Sequence, residues 1–250
     1  MYKMKKLLAV LALMAGPVFA DQSLIEFNEQ INATNVVVNR GCSGTVISTE
    51  YNLILTNYHC IDMVTGVRKE RKVGDDGTVS FIDVEERGDS TVVQRTYKGY
   101  DVVSATTYIA KTLKYDREAD LAILQLNTEE NPYVAEATIY HGDTPLLGTP
   151  VWIVGNPLGL DLSVGKGVIA SINRNLKVVG FGKTKYFQVD AGVTFGNSGG
   201  AMYTMDGDLI GVPGASAPGT VIGLAVPYTE VTKILEDVGY PVVNGKVTKK

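Results

Sequence analysis

The sequence is poor in cysteine, histidine and tryptophan. Its 250 residues include only two cysteines, two histidines and one tryptophan. Two cysteines and one neighbouring histidine are too few for a closed zinc shell, so we expect no metal site. Chemistry that needs an imidazole must use His59 or His141, because the chain has no other histidine. The scarcity of histidine therefore narrows the search for an active site to two positions.

Neither sign of charge is in large excess. Lysine and arginine number 23 against 27 aspartate and glutamate residues, which gives a formal net charge of −4. A chain with this net charge has neither the basic excess of a nucleic-acid-binding protein nor a general attraction to anionic membranes. The "GKG" at 165–167 lacks the spacing of a phosphate-binding loop. The sequence thus predicts no nucleic-acid partner and no cofactor.

Long hydrophobic runs are confined to the start of the chain. Three lysines precede an apolar run over 7–15, and "VFA" at 18–20 supplies small residues at a cleavage position, which is the pattern of a secretory signal peptide. The alternative is an uncleaved membrane anchor, but the run is far shorter than the roughly 20 apolar residues that span a bilayer. We expect a signal peptide over 1–20, a secreted or periplasmic mature chain, and no membrane association after cleavage.

Export would bring the two cysteines into an oxidising compartment, where thiols can pair. Cys42 and Cys60 can pair only with each other, because the chain has no third cysteine. Two buried free thiols are the alternative. Composition thus leaves a single possible disulfide.

Short β-rich runs make up most of the mature chain. Gly, Asn and Asp clusters separate them at spacings typical of all-β sandwiches and barrels. A polar segment over 127–148 divides them into two sets of about six. We therefore predict an all-β fold of two six-stranded antiparallel β-barrels, over about 34–126 and about 145–228. The charged stretch "RKERKVGDDG" at 68–77 predicts a solvated loop or hairpin tip.

A helix is expected at each end of the mature chain. "SLIE" at 23–26 fits a capping box, and Leu24, Phe27 and Ile31 share one helical face. The C-terminal helix, expected over about 228–239, has apolar residues at helical spacing: Val231, Ile234, Leu235 and Val238.

Three polar residues occur in an informative order. His59 follows an apolar run in "ILTNYHC", Asp120 precedes another in "EADLAILQL", and Ser198 lies in "GNSGG". Each alone has an ordinary explanation, such as a satisfied polar group, a cap or a tight turn. The order His, Asp, Ser is that of chymotrypsin-type enzymes, whereas subtilisin-like and α/β-hydrolase folds use other orders. Together the three predict a nucleophilic serine with a base and an orienting carboxylate.

These motifs, together with "VGNPLGL" and "GLAVP", resemble those of chymotrypsin-fold serine proteases, and among them the HtrA/Deg branch. The resemblance covers about residues 24–240 and implies one protease domain over 21–250. It implies a serine endopeptidase that hydrolyses polypeptides through an acyl-enzyme intermediate. His59, Asp120 and Ser198 would be its catalytic residues.

The resemblance also implies further site residues. The backbone N–H groups of Gly196 and Ser198 would form the oxyanion hole, and a disulfide between Cys42 and Cys60 would bracket the histidine. No acidic or basic residue lies between Ala191 and Gly200, which favours an uncharged residue at P1. The substrate pocket would be lined by Gly192, Val193, Val212 and Leu224.

Two features bear on this resemblance. HtrA proteins usually carry PDZ domains after the protease, whereas only ten residues follow Tyr240, so we expect none. Asn197 precedes the serine, as in the HtrA branch, in place of the aspartate of trypsin-like zymogens. His141 has no matching motif and is expected at the surface.

Two alternative functions stay open at this stage, a non-catalytic binding protein on the same fold and an esterase. Binding proteins of this kind usually lose a triad member, and here all three are present. An extended β-rich groove suits a peptide that is added as a strand, which favours the protease. The sequence does not predict an oligomeric state.

Overall fold

The computed structural model describes residues 22–39, 41–61, 64–99, 101–128, 132–177 and 183–250. The signal peptide predicted over 1–20 lies outside these residues. The two helices are α1 (Gln22–Thr34) and α2 (Tyr228–Asp237). Within the described ranges, neither helix has the length and apolar character needed to cross a membrane.

Strands form most of the remaining described chain. In chain order they are β1 (Asn35–Val38), β2 (Cys42–Ser48), β3 (Leu53–Thr56), β4 (Val64–Val73), β5 (Val79–Arg87), β6 (Ser90–Lys98), β7 (Asp101–Asp116), β8 (Leu121–Leu126), β9 (Pro150–Gly155), β10 (Ser163–Lys177), β11 (Lys183–Val189), β12 (Ala201–Thr204), β13 (Leu209–Ser216), β14 (Gly223–Pro227), β15 (Val242–Val243) and β16 (Lys246–Val247). Short 3-10 turns follow β3 and β9, at Tyr58–Cys60 and Pro157–Gly159.

The strands close into two barrels. The first has the order β1-β2-β3-β8-β7-β6 and the second the order β10-β11-β14-β13-β12-β9. All neighbouring strands within each barrel are antiparallel. The predicted fold of two six-stranded antiparallel barrels with a helix at each end is therefore confirmed.

One β-rich run lies outside the barrels. This run is the stretch "TVSFIDV" at 78–84. All of it except its first residue belongs to β5, which pairs with β4 in a separate two-stranded sheet. The charged stretch at 68–77 forms much of β4 and the hairpin turn. Nearly all of β4 is exposed, so this hairpin buries little on either face. Sequence pattern alone does not distinguish a barrel strand from an exposed hairpin strand, because both alternate in the same way.

The first helix differs from its prediction in two details. Ser23 lies inside α1, one residue after the start, and does not occupy the cap position. Phe27 and Ile31 are buried as expected, but Leu24 is exposed. The ring of Phe27 packs against Trp152 and Tyr203 of the second barrel, and Leu24 lies one turn before this contact. The residues of α2 that are buried are Val231, Ile234 and Leu235.

Strands β3 and β8 are buried on both faces. Leu53 and Leu55 of β3 face a core shared by the two barrels and the helices, whereas Ile54 faces the interior of the first barrel. On β8, Leu121 and Ala122 divide in the same way. Burial on both faces explains why these strands are continuous apolar runs rather than alternating ones. Both strands therefore lie at the junction between the barrels.

Candidate active site

The pairing of β3 with β8 brings His59 to Asp120. Thr56 at the end of β3 lies opposite Ala122 at the start of β8, so the residues just beyond these ends meet. Nδ1 of His59 lies 2.9 Å from Oδ2 and 3.0 Å from Oδ1 of Asp120. The backbone N–H of His59 also donates to Oδ1, at 3.1 Å. Asp120 is 1% exposed. A buried carboxylate therefore orients the imidazole through Nδ1.

The backbone at Asp120 is held in an unusual conformation. Its φ is 55°, in the left-handed region that residues other than glycine seldom adopt. The side-chain amide of Asn57, itself fully buried, donates to the carbonyl oxygen of Asp120 at 2.7 Å. Asn57 thus links the ends of β3 and β8 through a second contact. Asn57 lies within "ILTNYHC", but no pattern in the sequence distinguishes it from its neighbours.

The glycines around Ser198 occupy positions where no side chain fits. Gly196 and Gly199 have φ values of 96° and 81°. An added Cβ on Gly196 would lie 2.3 Å from the carbonyl oxygen of Asn156, and one on Gly199 would lie 2.1 Å from Oγ1 of Thr56. On Gly200 it would lie 2.2 Å from the carbonyl oxygen of Val154. The turn that presents Ser198 therefore requires glycine for both conformation and space.

The Ser198 turn is also bonded to the first barrel. The N–H of Ser43, on β2, donates to the carbonyl oxygen of Ser198 at 2.8 Å. A disulfide joins Cys42, the preceding residue, to Cys60, which follows His59. One ring nitrogen of His59 and the two sulfur atoms lie within 4.8 Å of one another. The three segments that carry His59, Ser43 and Ser198 are thus joined, and because the sulfurs are bonded to each other they do not offer a metal site.

The N–H of Gly196 has a defined direction. The carbonyl oxygen of Phe195, in the same peptide unit, accepts a 2.7 Å hydrogen bond from the N–H of Leu158. In a trans peptide the C=O and N–H point in opposite directions, so the N–H of Gly196 points away from Leu158. Within the described ranges, no protein acceptor pairs with the N–H of Gly196 or Ser198. Two backbone donors beside the serine are therefore available.

The residues predicted to line the substrate pocket are not all at the surface. Gly192 is exposed, and Val193 is half-buried and packs over Gly223. Leu224 is 9% exposed and Val212 is fully buried, and both belong to the shared core. The structure therefore does not bring Val212 to the wall of an open pocket. The register of β13 with β14 shifts between Pro213 and Ala215. Because side chains of neighbouring residues in a strand face opposite sides, a shift of one residue decides which of them face the core.

Two other predicted residues have clear positions. His141 is exposed, as expected, and lies outside the site. Asn197 is 5% exposed, and its amide donates to the carbonyl oxygen of Gly192 at 3.3 Å. Asn197 therefore stabilises the Ser198 turn through a buried side-chain contact.

Comparison with known proteins agrees with this architecture. Residues 42–212 match the family model of the trypsin-like peptidase domain. The chain belongs to this family. The predicted resemblance to trypsin-like peptidases is thereby confirmed.

This trypsin-like peptidase is similar to proteins of Staphylococcus aureus named "Serine protease HtrA-like". It is 36% identical over 156 residues to that of strain USA300 and 37% identical over 157 residues to that of strain bovine RF122 / ET3-1. Each match covers 56% of this chain and 20% of the relative. The chain therefore spans about a fifth of the length of these relatives.

The serine endoprotease from Yersinia pestis has a similar structure. Its TM-score is 0.62 at 24% sequence identity, over 88% of this chain and 68% of that chain. At this identity the likeness supports the fold alone, and it agrees with the two-barrel architecture.

Proposed function

We propose that this trypsin-like peptidase is an exported serine endopeptidase in which Ser198 is the nucleophile, His59 the general base and Asp120 the orienting carboxylate. The observation that carries the proposal is the contact between His59 Nδ1 and the buried Asp120 carboxylate, 2.9 Å long, at the barrel junction. A histidine with no role beyond the surface would not require a buried carboxylate at Nδ1. Sγ of Cys60, the next residue, lies 3.7 Å from the carbonyl oxygen of Ser198, so the histidine segment lies against the glycine-framed serine turn, which supports a base acting on this serine.

The proposed mechanism has two halves. Ser198 Oγ attacks the peptide carbonyl carbon as its proton passes to Nε2 of His59, and Asp120 stabilises the resulting imidazolium. The C–N bond then breaks, the leaving amine takes the proton from His59, and an ester to Ser198 forms. Water, deprotonated by His59, attacks this ester. The bond to Ser198 Oγ then breaks, His59 returns the proton to Oγ, and the carboxylic acid product leaves. In both tetrahedral intermediates the oxyanion accepts hydrogen bonds from the N–H groups of Gly196 and Ser198.

We propose extended polypeptide segments as substrates, with an uncharged residue of modest size at P1. Nothing between Ala191 and Gly200 could pair with a charged P1 side chain, and an unpaired buried charge costs several kcal/mol. Of the predicted lining residues, Gly192 and Val193 lie in this segment. Leu224 follows Gly223, over which Val193 packs. An apolar pocket discriminates weakly, by about 1 to 3 kcal/mol per methylene, so the preference is expected to be broad. Dominant cleavage after Arg, Lys or Glu in a peptide library would contradict this pocket.

The catalytic proposal is tested with Ser198→Ala. We expect kcat for unfolded casein to fall by roughly 10⁴- to 10⁶-fold, because triad members act as a unit, with an unchanged melting temperature. Ser104→Ala, at an exposed position on β7, is the control and should retain full activity. A fluorophosphonate probe should label the wild type and not Ser198→Ala.

The assay also separates the alternatives. An esterase would turn over a simple ester but not casein, and a non-catalytic binding protein would turn over neither and leave the probe unreacted. Casein cleavage by Ser198→Ala within tenfold of wild type would refute the assignment of the nucleophile. Export is tested separately, since N-terminal sequencing of the exported chain should begin at Asp21.

A further inference from the structure

A buried serine hydroxyl joins the two barrels next to the Ser198 turn. Ser43 Oγ donates to the carbonyl oxygen of Gly196 at 2.7 Å. It accepts from the backbone N–H of Asn156 at 2.8 Å and from the Asn156 side-chain amide at 3.0 Å. A hydroxyl offers one proton and two lone pairs, so all three are used. Ser43 is fully buried and Asn156 is 1% exposed, so water does not replace these contacts.

The side chain of Asn156 is oriented from the first barrel. Its oxygen accepts from Nη1 of Arg95, on β6, at 3.1 Å. Its nitrogen donates to Oδ1 of Asn35, at the start of β1, at 3.0 Å. Because a guanidinium only donates, Arg95 determines which end of the Asn156 amide faces Ser43. Arg95 is itself paired with Asp161 of the second barrel, Nη2 to Oδ1, at 3.1 Å.

These contacts hold the peptide units on both sides of Gly196. Ser43 fixes the carbonyl of Gly196, and the N–H of Leu158 fixes the carbonyl of Phe195. Leu158 lies in the 3-10 turn that begins directly after Asn156. Rotation of the Phe195–Gly196 unit would break the Leu158 hydrogen bond and redirect the N–H of Gly196. Rotation of the Gly196–Asn197 unit would break the Ser43 hydrogen bond, and the chain on the other side of Gly196 would lose its anchor. Glycine at this position supplies no steric restraint of its own, so the restraint must come from these partners.

We propose that Ser43 and Asn156, with Arg95 orienting Asn156, are positioning residues that hold the Gly196 N–H where the oxyanion forms. This inference rests on the proposed function. None of the three would touch the substrate. Their effect would appear in the transition state, where the oxyanion is charged, and not in the binding of the uncleaved peptide.

The test uses Ser43→Ala and Asn156→Asp in the mature protein. Asn156→Asp keeps the shape and the partner of Arg95 but removes the amide that donates to Ser43. Ser48→Ala is a matched control, because Ser48 is also buried on β2 and accepts a hydrogen bond, from Tyr51 at 3.2 Å. For all four proteins, kcat and KM are measured on a peptide substrate, with active-site titration to count competent molecules. Affinity is measured for two ligands. A peptide aldehyde forms an adduct with Ser198 that carries an oxyanion beside the Gly196 N–H, whereas a product peptide forms no such adduct.

We expect both variants to lower kcat per titrated site by about 10- to 100-fold with KM within about threefold. Aldehyde affinity should fall by a similar factor, and product affinity should stay unchanged. Ser48→Ala should leave all four quantities near the wild-type values. The proposal is wrong if kcat and aldehyde affinity stay within twofold of wild type, or if the loss disappears once activity is expressed per titrated site.

A second measurement separates this inference from the proposed function. In protein labelled with ¹⁵N-glycine, Ser43→Ala should shift the amide resonance of Gly196, and Ser48→Ala should not. If the wild type cleaves neither peptide nor ester, the proposed function fails, and this resonance still decides whether Ser43 orients the peptide unit. An active enzyme whose Gly196 resonance is the same in wild type and Ser43→Ala would overturn the positioning role alone.

Discussion

The two barrels contribute to the candidate site in different ways. The first barrel contributes His59 and Asp120, which are held by a contact between side chains and braced by a disulfide. The second contributes Ser198, in a turn held by main-chain hydrogen bonds and by glycines that leave no space for a side chain. The first half therefore depends on the chemical identity of its side chains, and the second on backbone conformation.

This difference determines what each half tolerates. Replacing a side chain in the first half can remove the chemistry and leave the fold intact, because the strands that carry it are buried independently of the polar groups. Adding even a methyl group to Gly199 would displace part of the first barrel, since the atoms that surround this glycine belong to Ser43, Thr56 and Asn57. Four variants, one of them a double substitution, test this contrast.

The largest effect is expected from Asp120→Asn. The amide keeps the shape of the carboxylate but cannot favour the same imidazole tautomer, so we expect kcat to fall by roughly 10⁴-fold. Stability should change little. Asp101→Asn, at an exposed position on β7, serves as the control in the same peptide assay. A loss of less than tenfold would mean that His59 does not depend on this carboxylate.

A smaller loss is expected from Gly196→Ala. The Cβ would collide with main chain and disfavour the φ of 96°, which displaces one oxyanion donor and lowers kcat by about 10²- to 10³-fold. Gly165→Ala is the matched control, because Gly165 lies on β10 of the same barrel with no heavy atom within 4 Å of an added Cβ. Equal activities of the two variants would show that the turn tolerates a side chain.

Removal of the disulfide should affect stability more than chemistry. Cys42 and Cys60 are separated by 18 residues, and a loop of this length stabilises the folded state by about 3 kcal/mol. In the Cys42→Ser/Cys60→Ser variant we expect a melting temperature lower by about 6 to 12 °C, with kcat below the new transition within about tenfold of wild type. Non-reducing mass spectrometry that finds two alkylatable thiols in the mature wild type would contradict the disulfide.

The smallest effect is expected away from the site, at Glu136 between the barrels. Burial raises the pKa of this carboxyl, but hydrogen bonds from the N–H and hydroxyl of Thr49 and an ion pair with Lys246 outweigh it and lower the pKa overall. A lowered pKa means that the contribution to stability is present above the unfolded pKa and is lost as pH falls through the folded one.

We therefore expect Glu136→Gln to lower the free energy of unfolding by about 1 kcal/mol at neutral pH. The difference from wild type should shrink as the medium is acidified below the ordinary carboxyl range. Urea denaturation of both proteins at neutral and acidic pH measures it. A difference that stays constant with pH would show that the charge of Glu136 is not what stabilises this contact.

Local patterns were enough to predict the number of barrel strands and the three candidate catalytic residues. Runs such as "LAILQL" are continuous because β8 is buried on both faces, and this burial is visible as composition. The facing of Val212 was not predictable in the same way. A shift of one residue reverses the face to which the side chains of a strand point, and the register of β13 with β14 shifts between Pro213 and Ala215.

The sequence by itself determined the glycine-framed turn and the chemistry at the barrel junction. Glycine adopts positive φ values at little cost, so the conformations at Gly196 and Gly199 could be expected from the local sequence. Tertiary structure alone decided which groups hold that turn. Ser43 and Gly196 are 153 residues apart, and Arg95 and Asn156 are 61 apart. Such contacts depend on how two closed barrels pack, and no local period or spacing in the chain encodes that packing.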